Sequence, residues 1–262
     1  MDPLLRLSLT RVTGDKRSVV DDVVVVEEPL EIRMGEKPVS VTMRTPGDDF
    51  ELAAGFLFTE GILQRPDAIE SIRHWGSENV VRIGLRTDVK IDLQKLARNF
   101  YATSSCGVCG KASIDAIRIQ TEPVVSSMHV SGATLSRLPD VLRRSQSLFE
   151  SSGAIHAAGL FDTEGSLSLL REDIGRHNAV DKVIGARFLA GRTPISDEIL
   201  MVSGRAGFEV VQKAIIAGIP IIAAVGAPSS LAVELAKEMN VTLIGFVREG
   251  KFNVYSGAER IG

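Results

Sequence analysis

The sequence predicts an α/β protein, a layered main domain preceded by a smaller, β-rich α+β subdomain, and three observations predict it. Between residues 138 and 255, strand-like apolar runs alternate with runs spaced for helices, the pattern of a partly parallel sheet covered by helices. Residues 19–44 instead hold short β-branched runs bounded by Gly and Pro, the pattern of hairpins. Small polar residues across 126–132 separate the two regimes and place a soft boundary, residues 1–130 against 131–262.

Taken in order, strands are expected at 19–20, 23–26, 30–33 and 39–43, with Met34-Gly35-Glu36-Lys37-Pro38 as a turn. Thr45-Pro46-Gly47-Asp48 opens a helix with a capping residue and an acidic first turn. Leu52, Ala53, Phe56 and Leu57 recur at helical spacing, and Gly61 ends the helix. Strands return at 72–75 and 80–83 around Gly76-Ser77-Glu78-Asn79, and a helix over about 93–100 leads to a cysteine loop. Leu138, Val141, Leu142, Ser145 and Leu148 mark the next helix. Strands 154–161 and 166–170 flank Asp162-Thr163-Glu164-Gly165, a hairpin turn. Then come helix 179–189, strand 199–202, helix 207–217, strand 219–225, helix 231–239 and strands 241–247 and 252–255.

Composition narrows the function. Hydrophobic residues make up 44% and charged residues 24%, close to the average of globular proteins, so disorder is excluded. A formal net charge of -3 argues against a polyanion binder, and no nucleic-acid partner is expected. The N-terminal ten residues lack the apolar centre of an export signal, and no apolar run is long enough to cross a bilayer. No membrane association is expected. With both cysteines in one tight motif, the expected setting is the cytoplasm, where thiols stay reduced.

Those two cysteines are the only ones in the chain, in Ser104-Ser105-Cys106-Gly107-Val108-Cys109-Gly110-Lys111. Three chemistries fit a C-x-x-C. A zinc half-site needs two further ligands, but no second C-x-x-C or H-x3-H exists, and the only upstream histidine, His74, is followed by Trp75-Gly76 rather than by the H-x-E of zinc deaminases. A dithiol redox pair is the second reading, and a sulfur-carrying nucleophile the third. Inert buried thiols are the bland alternative, against which the glycine-rich, polar surroundings weigh.

Two further stretches carry charge where an anion could be held. Arg171-Glu172-Asp173-Ile174-Gly175-Arg176-His177-Asn178-Ala179-Val180-Asp181-Lys182 runs into a helix start, where Asp173 or Asp181 could orient His177. A capped helix with surface salt bridges explains it equally well. Ser203-Gly204-Arg205-Ala206-Gly207-Phe208-Glu209 follows a strand and opens a helix, a credible anion turn that is neither G-x-G-x-x-G nor a P-loop. Ala227-Pro228-Ser229-Ser230 repeats that geometry one unit later, and His156 sits in an apolar strand from which it could face the same crevice as His177. Arg248-Glu249-Gly250-Lys251 is a turn with two cations.

As a set, these residues resemble the formate dehydrogenase accessory sulfurtransferase family (FdhD type) over nearly the whole chain. The likeness rests on Glu28-Pro29-Leu30, on Thr42-Met43-Arg44-Thr45-Pro46-Gly47-Asp48-Asp49, on Gly55-Phe56-Leu57, Thr59-Glu60-Gly61 and the cysteine motif, and on the runs 173–182, 203–205 and 245–255. The resemblance implies a cytidine-deaminase-like main domain without zinc or any other metal site. It implies a carrier that takes persulfide sulfur from a cysteine desulfurase onto Cys106, with Cys109 as helper, and delivers it to the bis(molybdopterin guanine dinucleotide) cofactor of formate dehydrogenase. Guanine dinucleotide binding maps to Phe246, Val247, Arg248, Glu249, Gly250 and Lys251, with GDP as a mimic. Arg176, His177, Ser203, Gly204 and Arg205 are expected to meet its phosphates, and a homodimer is implied. Gly226 stands where many relatives have serine. A non-covalent cofactor chaperone and a dithiol oxidoreductase remain the alternatives.

Overall fold

The structure, a computed structural model, describes residues 1–89 and 121–262. The expected helix at 93–100 and the cysteine motif lie outside these residues.

The first eighty-nine residues form two sheets, one α-helix and a single 3-10 turn, Pro66–Ala68. β1 (Leu4–Thr13) and β2 (Lys16–Val25) make an antiparallel ribbon by themselves. β1 is a strand that the reading of the sequence passed over, although Leu5, Leu7 and Leu9 alternate with Arg6, Ser8 and Thr10. β3 (Glu28–Met34), β4 (Lys37–Arg44), β5 (Ile69–Trp75) and β6 (Ser77–Leu85) form a second sheet in the order β4-β3-β6-β5. Its turn at Gly76 is tighter than the four residues expected, and Gly76 adopts φ 74° there.

Helix α1 (Asp49–Thr59) packs the buried Leu52, Ala53 and Leu57 against Leu30, Ile32, Val81 and Ile83 of that sheet. The expected side-chain cap is absent. Asp48 takes the left-handed conformation, makes no capping bond, and directs its carboxylate to Arg171 at 3.3 Å.

The second half centres on a six-stranded sheet, order β12-β11-β10-β9-β7-β8. Its strands are β7 (His156–Phe161), β8 (Leu167–Asp173), β9 (Ile199–Val202), β10 (Ile221–Ala224), β11 (Thr242–Arg248) and β12 (Lys251–Ser256). β9, β10 and β11 are parallel neighbours, while β7, β8 and β12 run antiparallel to theirs. Because successive side chains of a strand point to opposite faces, each strand feeds two cores. Ala158, Leu160, Leu200, Val202, Ile222 and Ala224 join α4 (Arg176–Leu189), α5 (Phe208–Ile216) and α6 (Ser230–Glu238). Ala157, Phe161, Ile199, Met201, Ile221 and Ala223 meet α2 (Gly132–Ser145) through Leu135, Leu138 and Leu142. The expected single helix around 138–148 is two, α2 and the short α3 (Ser147–Ser152), broken at Gln146. This half is therefore a mixed sheet between helical layers.

The first core runs unbroken from the four-stranded sheet through α1 and α4 to the six-stranded one. Two glycines permit that contact. A Cβ on Gly55 would lie 1.9 Å from the carbonyl oxygen of Asp181, and one on Gly185 would lie 1.9 Å from that of Glu51. The stretch 126–132, where the sequence places its soft boundary, is held in place. Met128 and Val130 are buried, Val130 exchanges backbone bonds with Arg260 and Gly262, and Ser126 Oγ donates to Ser196 O. Among the described residues no helix is long and apolar enough to cross a membrane.

Candidate functional site: one edge of the six-stranded sheet

Strand register brings distant pieces of sequence to one edge. β9 and β10 end there, at Val202 and Ala224. β7 runs the other way, so its first residue, His156, lies beside the loop after β9, and a Cβ on Gly204 would be 3.5 Å from its ring. His156 pairs in register with Asp173, the last residue of β8, after which the chain enters α4. The loops are then bonded to one another. Gly226 N donates to Gly204 O (3.0 Å), Ser229 N to Ala206 O (3.2 Å) and Phe246 N to Gly226 O (3.1 Å). Crevices outside the carboxyl ends of parallel strands are where α/β sheets take ligands.

Two helices begin at this edge with glycine. Gly175 precedes α4 and Gly207 precedes α5, and neither start has a side-chain cap, whereas Ser131 caps α2 and Ser229 caps α6. The first-turn N–H groups of α4 and α5 are thus left without side-chain acceptors, the chemistry that suits an anion. The helix α4 starts three residues earlier than its apolar spacing suggested, so Arg176 and His177 occupy its first turn. His177 Nε2 lies 2.9 Å from Glu209 Oε2 in the first turn of α5. Burial lowers the pKa of His156 from its ordinary 6.5, and the nearby Arg176 and His177 lower it further against the opposing pull of Asp173. The result is a His156 that resists protonation.

The acidic residues of this stretch do other work than expected. Neither Asp173 nor Asp181 orients His177; Glu209 is its partner. Asp173, fully buried, takes the Lys182 ammonium at 2.8 Å and accepts from Thr45 N (3.2 Å), Gly175 N (2.8 Å) and Asn178 Nδ2 (2.9 Å). Lys182 Nζ also donates to Thr45 O and Glu172 O, and Asn178 Nδ2 to Met43 O. Arg44, also fully buried, makes a two-pronged bond to Asp49 at 2.9 and 3.0 Å. Thus residues 42–49 are tied to residues 172–182 by buried polar bonds. The surface-salt-bridge reading fails for the centre of this run, because Glu172, Asp173, Asp181 and Lys182 are buried.

Ser203 is half-buried and its Oγ accepts from Ala157 N at 2.9 Å, while Arg205 is exposed. Phe246 is partly exposed and adopts φ 54°, a left-handed conformation rare for a bulky residue, held by its bond to Gly226. Val247 is buried in the second core and so faces away from solvent. Arg248, Glu249, Gly250 and Lys251 are exposed in the β11–β12 turn. A Cβ on Gly226 would come within 2.9 Å of Arg205 Cγ and 3.1 Å of Gly204 O, so a serine there requires the 203–205 loop to give way. Cys106 and Cys109 lie outside the described residues. Among the described residues no group of three His, Cys, Asp or Glu side chains could hold a metal.

Sequence reasoning did not single out Glu209 or Asn178 for a role. The signal for Glu209 was its place in the first turn after the glycine-flanked loop, and for Asn178 its place three residues after the helix-opening glycine.

Known proteins share this chain's plan over its whole length. Its sequence is 49% identical to the sulfur carrier protein FdhD of Mycolicibacterium paratuberculosis, covering 98% of each chain. It is 48% identical to that of Streptomyces avermitilis (98% of this chain, 95% of the relative) and 42% identical to that of the archaeon Sulfurisphaera tokodaii (98% of each). A crystal structure from Desulfotalea psychrophila, assigned to the formate dehydrogenase accessory proteins, superposes with a TM-score of 0.78. It covers all of both chains at 24% identity, and so shares the fold. The family model for FdhD/NarQ matches residues 25–262, everything but the N-terminal ribbon, and the chain belongs to the FdhD/NarQ family.

Proposed function

We propose that this protein is a sulfur carrier in the maturation of formate dehydrogenase. The observation that carries the reading is end-to-end kinship, at up to 49% identity, with proteins named sulfur carriers, in a chain whose only thiols form one C-x-x-C. The Cys106 thiolate attacks the outer sulfur of a persulfide on a cysteine desulfurase. That sulfur–sulfur bond breaks, the donor cysteine leaves as thiolate, and Cys106 keeps the outer sulfur as its own persulfide. The sulfur then passes to the bis(molybdopterin guanine dinucleotide) cofactor destined for formate dehydrogenase, with Cys109 assisting. In this role the protein is a sulfurtransferase working in the cytoplasm, as a homodimer.

The cofactor is the cargo, and the sheet edge is where it would rest. The uncapped starts of α4 and α5, with Arg176, His177 and Arg205 beside them, suit its pyrophosphates. Phe246 and the Arg248–Lys251 turn suit a guanine and its sugar phosphate. We further assign the mixed sheet and its helices to the cytidine-deaminase-like layering, turned from zinc chemistry to cofactor holding.

Incubation with a cysteine desulfurase and cysteine, followed by mass spectrometry, tests the reading. One added sulfur atom on Cys106, lost in Cys106→Ala together with formate dehydrogenase activity in cells, is expected. Tight GDP binding with no adduct would mean a non-covalent cofactor chaperone, and a reversible Cys106–Cys109 disulfide with thiol turnover would mean an oxidoreductase.

A further inference from the structure

The first two turns of α4 and α5 are cross-linked twice. Their outer contact is His177 with Glu209, 2.9 Å apart, and one turn further in Asp181 meets Lys213 at 2.9 Å. His177 and Asp181 are four residues apart on one helix, Glu209 and Lys213 four apart on the other, so each helix contributes neighbours on one face. The inner pair is fully enclosed and fixes the spacing of the helices. The outer pair inherits that spacing and lies at the sheet edge, its side chains 16% and 17% exposed.

Two features set Glu209 apart from an ordinary surface partner. Its other oxygen, Oε1, is buried and has no hydrogen-bond partner, a cost that a merely structural pair would avoid. Its Oε2 is also too close to Nε2 for two lone pairs to face each other, so a proton lies between them, on Nε2 where Glu209 is a carboxylate. The nitrogen left to meet a ligand is Nδ1.

We infer that Glu209 is a positioning residue for the edge crevice: it pins the His177 ring, with Nε2–H donating to its carboxylate, so that Nδ1, protonated in turn when a phosphorylated ligand binds, donates to a phosphate oxygen. This rests on the crevice reading above. Glu209 acts through His177 and need not touch the ligand itself.

The test uses the full chain, with GDP as the probe and nitrogen NMR of the histidine rings as a second readout. In the wild type, Nε2 of His177 should show the signature of a protonated nitrogen. Glu209→Ala should abolish that preference and weaken GDP binding about tenfold, the worth of one charge-assisted contact. Glu209→Gln, which keeps an acceptor oxygen, should lose less. His177→Ala should lose as much as His177→Ala/Glu209→Ala, because the second change has nothing left to position. An unchanged ring signature in Glu209→Ala, or losses that add in the double variant, would overturn the inference. Failure of the wild type to bind GDP would overturn the crevice reading instead, and the ring signature alone would then decide for or against Glu209.

Discussion

The Lys213 ammonium sits 2.9 Å from both carboxylate oxygens of Asp181, and both side chains are buried where α4 and α5 meet the end of α1. Thr59 Oγ1, on α1, completes the group by donating to Asp181 at 2.8 Å. Burial pulls the lysine pKa down, yet Asp181 and Glu60 outweigh it and hold Lys213 above its ordinary value, so it stays charged. The pair joins three helices drawn from both halves of the chain.

Removing one partner of this pair leaves the other charge buried alone. Lys213→Met is expected to cost about 3–5 kcal/mol in urea unfolding, and Lys213→Met with Asp181→Leu far less, since an apolar pair of similar size needs no compensation. A loss in the double variant equal to the sum of the two single losses would show that the charges do not see each other.

Asp173 gives a parallel expectation with a local readout. Asp173→Asn removes the counter-charge of the enclosed Lys182 and is expected to destabilise by about 3 kcal/mol. It should also speed amide hydrogen exchange at Thr45, whose N–H donates to that carboxylate. Unchanged exchange at Thr45 would show that this bond does not hold the 42–49 segment.

His156 makes stability depend on pH in a known direction. Its folded pKa lies below the ordinary 6.5, so between those values the unfolded chain binds a proton that the folded chain refuses. Stability is full above pH 6.5 and falls as pH drops through the window below it. His156→Gln should flatten that part of the curve of melting temperature against pH. A variant with the wild-type slope would place the effect elsewhere.

Gly55→Ala drives a methyl into the Asp181 carbonyl, which is backbone and cannot swing aside. The helices must separate, at an expected cost of about 3 kcal/mol or more, with Gly185→Ala similar. Circular dichroism during thermal unfolding measures both. A fall in melting temperature of less than a few degrees would mean that the crossing is looser than it stands here.

Most strands and helices of the second half were legible because their apolar spacing is a local property, readable within a dozen residues. The α4 start was not, because Arg176 and His177 are polar and only the helix geometry places them in its first turn. In the N-terminal ribbon, which buries little, β1 was overlooked and β2 was read as two short strands, because Asp21-Asp22 interrupts its apolar run, which a half-exposed strand tolerates. The edge loops could be suspected from glycine and arginine after strands. The polar bonds that fix them could not, since Asp173 finds Thr45 and Asp181 finds Thr59 across sequence separations that no periodicity reports.

The glycine crossing of α1 and α4 has a consequence for how the chain is made. α1 emerges from the ribosome early, with Gly55 flanked by apolar side chains, while the helix it must lie against arrives only after β8. Until then one flank of α1 has no cover, and the first sheet cannot finish its core. The newborn N-terminal half therefore keeps an apolar flank exposed until the half that follows completes its core.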